Sequence, residues 1–225
     1  MNRYRPIFSS GSNKILGHLI LIALVAILLL SCGTEADKVE TGQNPVQDKG
    51  QPLITTQLVA QDALLTSITV TVDATKQDMW AYFSLKEGKV VEVANPADSK
   101  GWDLGFQRTK IKINGGVSGP GGSGVTMLLD TKFDLVNKAP IADYEVDTQN
   151  SLAIVPQSKK GWYVYTGAPT HWVLPIENRV FVIKTGNGAF AKIQFLGYYK
   201  DNENKTDPAY VKFKYIFQTD GSRNF

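Results

Sequence analysis

The sequence predicts an all-β protein: a single, mostly antiparallel domain of two packed sheets, with long turn-rich loops and at most short helices. Three observations carry this. Apolar and polar residues alternate at period two in several segments. Those segments are rich in β-branched and aromatic residues, and clusters of Gly, Asn, Asp and Pro separate them. No long helical pattern and no internal repeat interrupts the series.

The N-terminus is of a different kind. Arg3, Arg5 and Lys14 precede an unbroken apolar run, Leu19 to Leu30, which ends at Ser31-Cys32. Twelve residues are few for a membrane span and suit the apolar region of a signal peptide. Ile15 and Leu16 extend the run upstream, so an uncleaved anchor is the alternative. "LLSC" resembles the lipobox of bacterial lipoproteins, in which a small residue precedes a cysteine that is lipidated. Cys32 is the only cysteine in the chain and so has no intramolecular disulfide partner. The expectation is a signal peptide over 1–31, a lipidated Cys32 with a flexible tether over 32–52, and a β domain over 53–225. Acyl chains on Cys32 would make membrane lipid a partner. The tether, "GTEADKVETGQNPVQDKGQP", has almost no large apolar residues.

Charge excludes one function class. Cleavage before Cys32 removes three of the 24 Lys and Arg and none of the 21 Asp and Glu. The mature chain is formally neutral, and its balance gives no ground for nucleic-acid binding.

Within the domain, Ile68, Val70 and Val72 alternate with Thr69, Thr71 and Asp73 as in a half-buried strand. "MWAYFSL" and "VVEV" flank a tight turn at Glu87-Gly88-Lys89. "LGFQRTKIKI" alternates as one strand, with Phe106, Arg108, Lys110 and Lys112 on one side. "GWYVY" is a further strand. "RVFVIKT" and "AFAKIQFLGYY" flank Gly186-Asn187-Gly188, a hairpin whose turn calls for positive φ at Gly and Asn. "AYVKFKYIFQ" closes the sheet, with Val211, Phe213, Tyr215 and Phe217 on one face. "TKFDLVNKAP" and "IADYEV" are the places for short helical pieces.

Gly115 to Gly124 holds six glycines, and Gly119, Gly121 and Gly124 complete a G-x-G-x-x-G. A dinucleotide site needs a helix after those glycines, and a Walker loop needs Gly-Lys-Ser/Thr. Neither is present, so the loop is expected to be an irregular connection that binds no nucleotide. Catalysis is equally unsupported. The mature chain has one histidine, His171, no G-x-S-x-G elbow, and too few His and Cys for a structural zinc site. "DNENKTD", Asp201 to Asp207, lacks the glycine and final glutamate of a calcium-binding EF-hand loop and suits a solvated hairpin tip. The protein is expected not to be an enzyme.

Two stretches together carry a resemblance. "GWDLGFQRTKIKINGGVSGPGGSG", Gly101 to Gly124, resembles the signature of the HmuY-like lipoproteins, a Trp-Asp strand leading into a glycine-rich loop. "NRVFVIKTGNGAFAKIQFLGYY" with "YVKFKYIFQ" resembles that family's C-terminal strands. The resemblance covers roughly Ser67 to Gln218. It implies an all-β lipoprotein on the outer membrane, at the cell surface, that binds haem. It also implies that haem is captured from host haemoproteins and passed to a TonB-dependent outer-membrane receptor. Family members hold the iron between two histidines or two methionines from separate loops. Those loops fall near "NKAP" and "TGAP", where this chain has Ala139 and Ala168.

Met79, Met127 and His171 are the neutral haem-ligand types left in the mature chain. Met79, beside Trp80, is expected in the core. Met127 and His171 form the candidate axial pair, and for His171 an exposed loop histidine beside Trp172 is the alternative. Tyr163, Tyr165 and Trp172 are either porphyrin-stacking rings or core. Two functions follow: a haem or porphyrin binder for iron acquisition, or a surface lipoprotein on the same scaffold that has lost its haem ligands and binds another ligand or protein.

Overall fold

The structure, a computed structural model, describes residues 65–225. The expected signal peptide, Cys32, the expected tether and residues 53–64 of the expected domain lie outside the described residues. The strands are β1 (Ile68–Asp73), β2 (Ala81–Ser84), β3 (Lys89–Val91), β4 (Leu104–Gln107), β5 (Lys110–Ile113), β6 (Gly124–Leu128), β7 (Tyr163–Tyr165), β8 (Val173–Pro175), β9 (Val180–Lys184), β10 (Phe190–Asp201) and β11 (Thr206–Gln218). They form a five-stranded sheet in the order β1-β11-β10-β9-β6, a four-stranded sheet in the order β3-β2-β4-β5, and a β7-β8 ribbon. Every pairing is antiparallel. Two main sheets match the sequence reading; the ribbon is an addition to it.

The core lies between the two large sheets. Val211, Phe213 and Tyr215 alternate with Lys212 and Lys214 along β11, and all three apolar residues are fully buried. Phe213 is their centre. Its ring packs edge-on to Phe83 at 5.4 Å, stacks on Phe106 at 5.5 Å and meets Phe195 at 6.0 Å, joining β2 and β4 of one sheet to β10 and β11 of the other. Burying one such side chain contributes roughly 1.5–3 kcal/mol. A second cluster covers the opposite face of the five-stranded sheet, where Phe133, Val136 and Ala139 pack on Val180, Val182, Phe190 and Ile216. There the buried Lys192 donates from Nζ to the carbonyl oxygens of Phe133 (3.1 Å) and Val136 (2.9 Å).

Several details differ from the sequence reading. "LGFQRTKIKI" is a hairpin, not one strand. The chain reverses at Arg108, which takes φ 55°, and pairs Leu104 with Ile113 and Phe106 with Ile111. The reversal puts Phe106, Ile111 and Ile113 together in the core, which a single strand could not do. β11 lies inside its sheet, between β1 and β10. In the Gly186–Gly188 turn only Gly188 takes positive φ (84°), while Asn187 Oδ1 accepts the Ala189 N–H at 3.4 Å. Of the two expected helical pieces, the first is a 3-10 turn at Phe133–Leu135. The second is irregular, because Glu145 bridges to Val125 at the β6 edge and draws the chain into an extended form. Met79 is 53% exposed rather than in the core, since it precedes β2 in a loop.

The glycine-rich stretch connects β5 to β6 irregularly, as expected. It is wrapped around the fully buried Asn114, whose Nδ2 donates to the carbonyls of Trp102 (2.8 Å) and Ser99 (3.0 Å). Asn114 Oδ1 accepts the Gly121 N–H at 2.8 Å. A Cβ on Gly115 would overlap the Ser123 carbonyl, so the glycines are there for close packing of the backbone.

Candidate functional site

The β7-β8 ribbon builds the site that holds the one described histidine. Its base is fixed to the core: Trp162, fully buried, packs on Phe195 at 5.0 Å and donates from Nε1 to the Thr109 carbonyl at 2.9 Å. The Val173 N–H donates to the Tyr199 hydroxyl of β10 at 2.9 Å. Tyr163 pairs with Pro175 and Tyr165 with Val173, so the chain between Tyr165 and Val173 is the tip of a hairpin.

That tip is exposed but internally bonded. The Thr166 N–H donates to the Trp172 carbonyl (2.9 Å), the Trp172 N–H to Thr166 Oγ1 (2.9 Å), and the His171 N–H to the Gly167 carbonyl (2.7 Å). These bonds hold His171 at φ 53°, a left-handed conformation that costs a non-glycine residue roughly 1 kcal/mol. The His171 ring lies against Tyr165, and its Nδ1 is hydrogen-bonded to the Tyr165 hydroxyl. When Nδ1–H donates to that oxygen, Nε2 carries a free lone pair pointing away from the bond. A ring oriented through one nitrogen and open at the other is the arrangement of a metal-ligating imidazole. Trp172 is 39% exposed beside it, and Lys205 of the β10-β11 turn stands 5.8 Å from the indole centroid.

The structure does not bring Met127 to this tip. Met127 lies on the edge strand β6, opposite Phe181 of β9, which is opposite Ile193 of β10. The ribbon instead meets β10 at Tyr199. Six strand residues span about 20 Å, whereas two axial donors on one iron lie about 4 Å apart, twice an ordinary nitrogen–metal distance. The sequence offered Met127 because its residue type is right; strand register separates the two. Tyr163 is core (8% exposed), while Tyr165 and Trp172 are surface rings. Ala168 is exposed at the tip, and Ala139 is buried, exchanging backbone and side-chain hydrogen bonds with Arg223. Tyr165 as the orienting partner of His171 was missed; the T-x-x-x-x-H-W spacing gives no sign of it, because the contact depends on the hairpin closing.

Among the described residues no group of three or more His, Cys, Asp or Glu side chains could hold a metal ion, and no helix is long and apolar enough to cross a membrane. Asp201 to Asp207 is the β10-β11 hairpin tip, and Asp201 accepts from the N–H groups of Glu203 (2.9 Å) and Asn204 (3.0 Å). The Asn204 side chain, which donates from Nδ2 at 2.7 Å, and then the Asn204 N–H hold the Asp201 carboxyl below the usual aspartate range.

Similar proteins share this fold. An apo HmuY analogue from Tannerella forsythia is 21% identical, with a TM-score of 0.51 over 70% of this chain and 100% of that one. Apo PinO from Porphyromonas gingivitis is 18% identical, with a TM-score of 0.51 over 68% of this chain and 98% of that one. A lipoprotein candidate from Bacteroides fragilis is 21% identical, with a TM-score of 0.50 over 71% and 93%. No curated protein matches the sequence. The family model described as HmuY protein matches residues 76–215, from the loop before β2 to within β11, and the chain belongs to that family.

Proposed function

We propose that this protein is a membrane-anchored lipoprotein that binds haem or a related porphyrin for iron acquisition and catalyses no reaction. Family membership and the reading of the N-terminus support it, and one observation carries it: the sole described imidazole is presented at a braced, exposed tip with its Nδ1 engaged by Tyr165. The donor set fits porphyrin iron through one nitrogen. His171 Nε2 would hold the metal, the exposed face of Trp172 would lie along the ring, and Lys205 would stand near a carboxylated edge. The iron, when bound, supplies the acid centre that the imidazole coordinates. The lipid on Cys32 holds the domain on the outer membrane at the cell surface. Host haemoproteins are the source of haem in this reading, and a TonB-dependent outer-membrane receptor takes it onward.

A specific observation favours a second reading, a surface lipoprotein on the same scaffold that has lost its haem ligands and binds another ligand or protein. Alanines, Ala139 and Ala168, occupy the two loops where the resemblance to the family expects ligands, and Ala139 is buried. Titrating the mature chain with haemin while recording the absorption spectrum separates the two. The first reading expects a saturable shift of the Soret band. His171→Ala should weaken binding by at least about tenfold, and Met127→Ala should leave the spectrum unchanged. Absence of haemin binding by the unaltered chain selects the second reading.

A further inference from the structure

Porphyrin iron takes axial ligands on both of its faces, and a single chain offers it a donor for one. The mature chain has one imidazole, His171. Strand register holds Met127 on β6, away from the ribbon. Met79 lies in the loop before β2 of the four-stranded sheet, where its Sδ accepts from Lys76 Nζ at 3.9 Å. The Tyr165 hydroxyl is bonded to His171 Nδ1, the nitrogen turned away from a metal on Nε2. It therefore lies on the same side of the iron as the imidazole and leaves the other face untouched.

The tip suits an approach from that other face. Ala168, Pro169, Thr170 and His171 are all exposed, so the imidazole stands at the end of a projection. The segment from Gly161 to Ile176 has no charged residue, and two such tips meet without bringing like charges of their own together. Charge begins on the neighbouring β10-β11 turn, where Lys205 stands 5.8 Å from the Trp172 indole. A hairpin tip is small beside the roughly 800 Å² that each partner gives to a stable interface. Two copies accordingly need something between the tips to hold them. A twofold contact sets the same residue of each copy across the axis, and a flat ring with two faces accepts the same imidazole from both.

We propose that haem is bound between two copies of this chain, with His171 Nε2 of each copy as the axial ligand on one face. This pairing rests on the haem reading of the same tip and adds its partner, a second copy of the chain. The site is incomplete in one copy and complete in two. Each Trp172 lies on the side of its own imidazole, so the indoles flank the porphyrin from opposite faces.

The mature chain carrying Cys32→Ser, which removes both the lipid and the thiol, is titrated with haemin. Absorption is followed together with sedimentation read at the Soret band. The absorption change should saturate at about half an equivalent of haemin per chain. The spectrum should be that of low-spin iron with two imidazoles, and the haem should sediment with a dimer, whereas the chain without haemin should be a monomer. His171→Ala should lose the endpoint, the low-spin spectrum and the dimer together; Met127→Ala and Met79→Ala should keep all three. Saturation at about one equivalent on a monomer would overturn the pairing and leave the haem reading standing. A dimer formed equally without haemin, or retained in His171→Ala, would overturn it as well. Absence of haemin binding by the unaltered chain removes the haem reading and the pairing with it.

Discussion

The buried carboxylate of Asp147 ties the returning chain to β5: its Oδ2 accepts the Ile113 N–H at 3.0 Å, across 34 residues. The other oxygen, Oδ1, accepts the Ala153 N–H at 2.8 Å. One side chain therefore closes the long excursion that contains the glycine-rich connection, β6 and the 3-10 turn.

Asp147→Ala leaves two interior N–H groups without acceptors. Each such loss costs about 1–3 kcal/mol, so denaturant unfolding should show a loss of about 2–6 kcal/mol. A change below about 1 kcal/mol would mean that water or another acceptor replaces the carboxylate.

Asp103 gives a pH dependence of known sign. Desolvation raises its pKa above the ordinary 3.8, and the hydrogen bond from the Leu85 N–H only partly opposes this. The folded state then binds more protons than the unfolded state between 3.8 and the raised value, so stability falls as pH rises through that window. Asp103→Asn keeps an acceptor for Leu85 and removes the charge. Its melting temperature should match or exceed that of the parent at pH 7, and the advantage should vanish below pH 3.8. A deficit of equal size at both pH values would contradict the desolvation argument.

The glycine-rich connection should behave as packing, not as a phosphate cradle. Gly115→Ala forces a Cβ into the Ser123 carbonyl and should lower the melting temperature. ATP and NAD at micromolar concentration should leave that temperature unchanged in the parent chain. Thermal stabilisation by either nucleotide, lost in Gly121→Ala, would reverse the conclusion.

Cys32→Ser should move the protein from the membrane fraction to the soluble fraction and abolish labelling by a fatty-acid probe. The expectation rests on the basic N-terminal residues, the apolar run and Ser31 before the only cysteine. Labelling that persists in the variant places the lipid elsewhere.

Alternation marked β1 and β11 as strands and showed which face of β11 is buried. Val72, Phe213 and Tyr215 were legible because a strand turns successive side chains to opposite sides, so the pattern is written in adjacent residues. Fold class and family were also in the sequence. Tertiary structure decided what depends on register and closure. The β4-β5 hairpin was hidden because Arg108 carries no turn signature, yet reversing there is what gathers Phe106 and Ile111 on one side. Residue type made His171 the leading candidate ligand in the sequence and Met127 its partner. The pairing of β6, β9 and β10 sets them far apart, and closure of the β7-β8 tip gives His171 Tyr165 as its neighbour instead. Lys112 reads as one more exposed strand lysine until the missing side chain of Gly105, on the neighbouring strand, lets it lie across the sheet among three rings. Such relations join residues distant in the chain through space that only the packed sheets define.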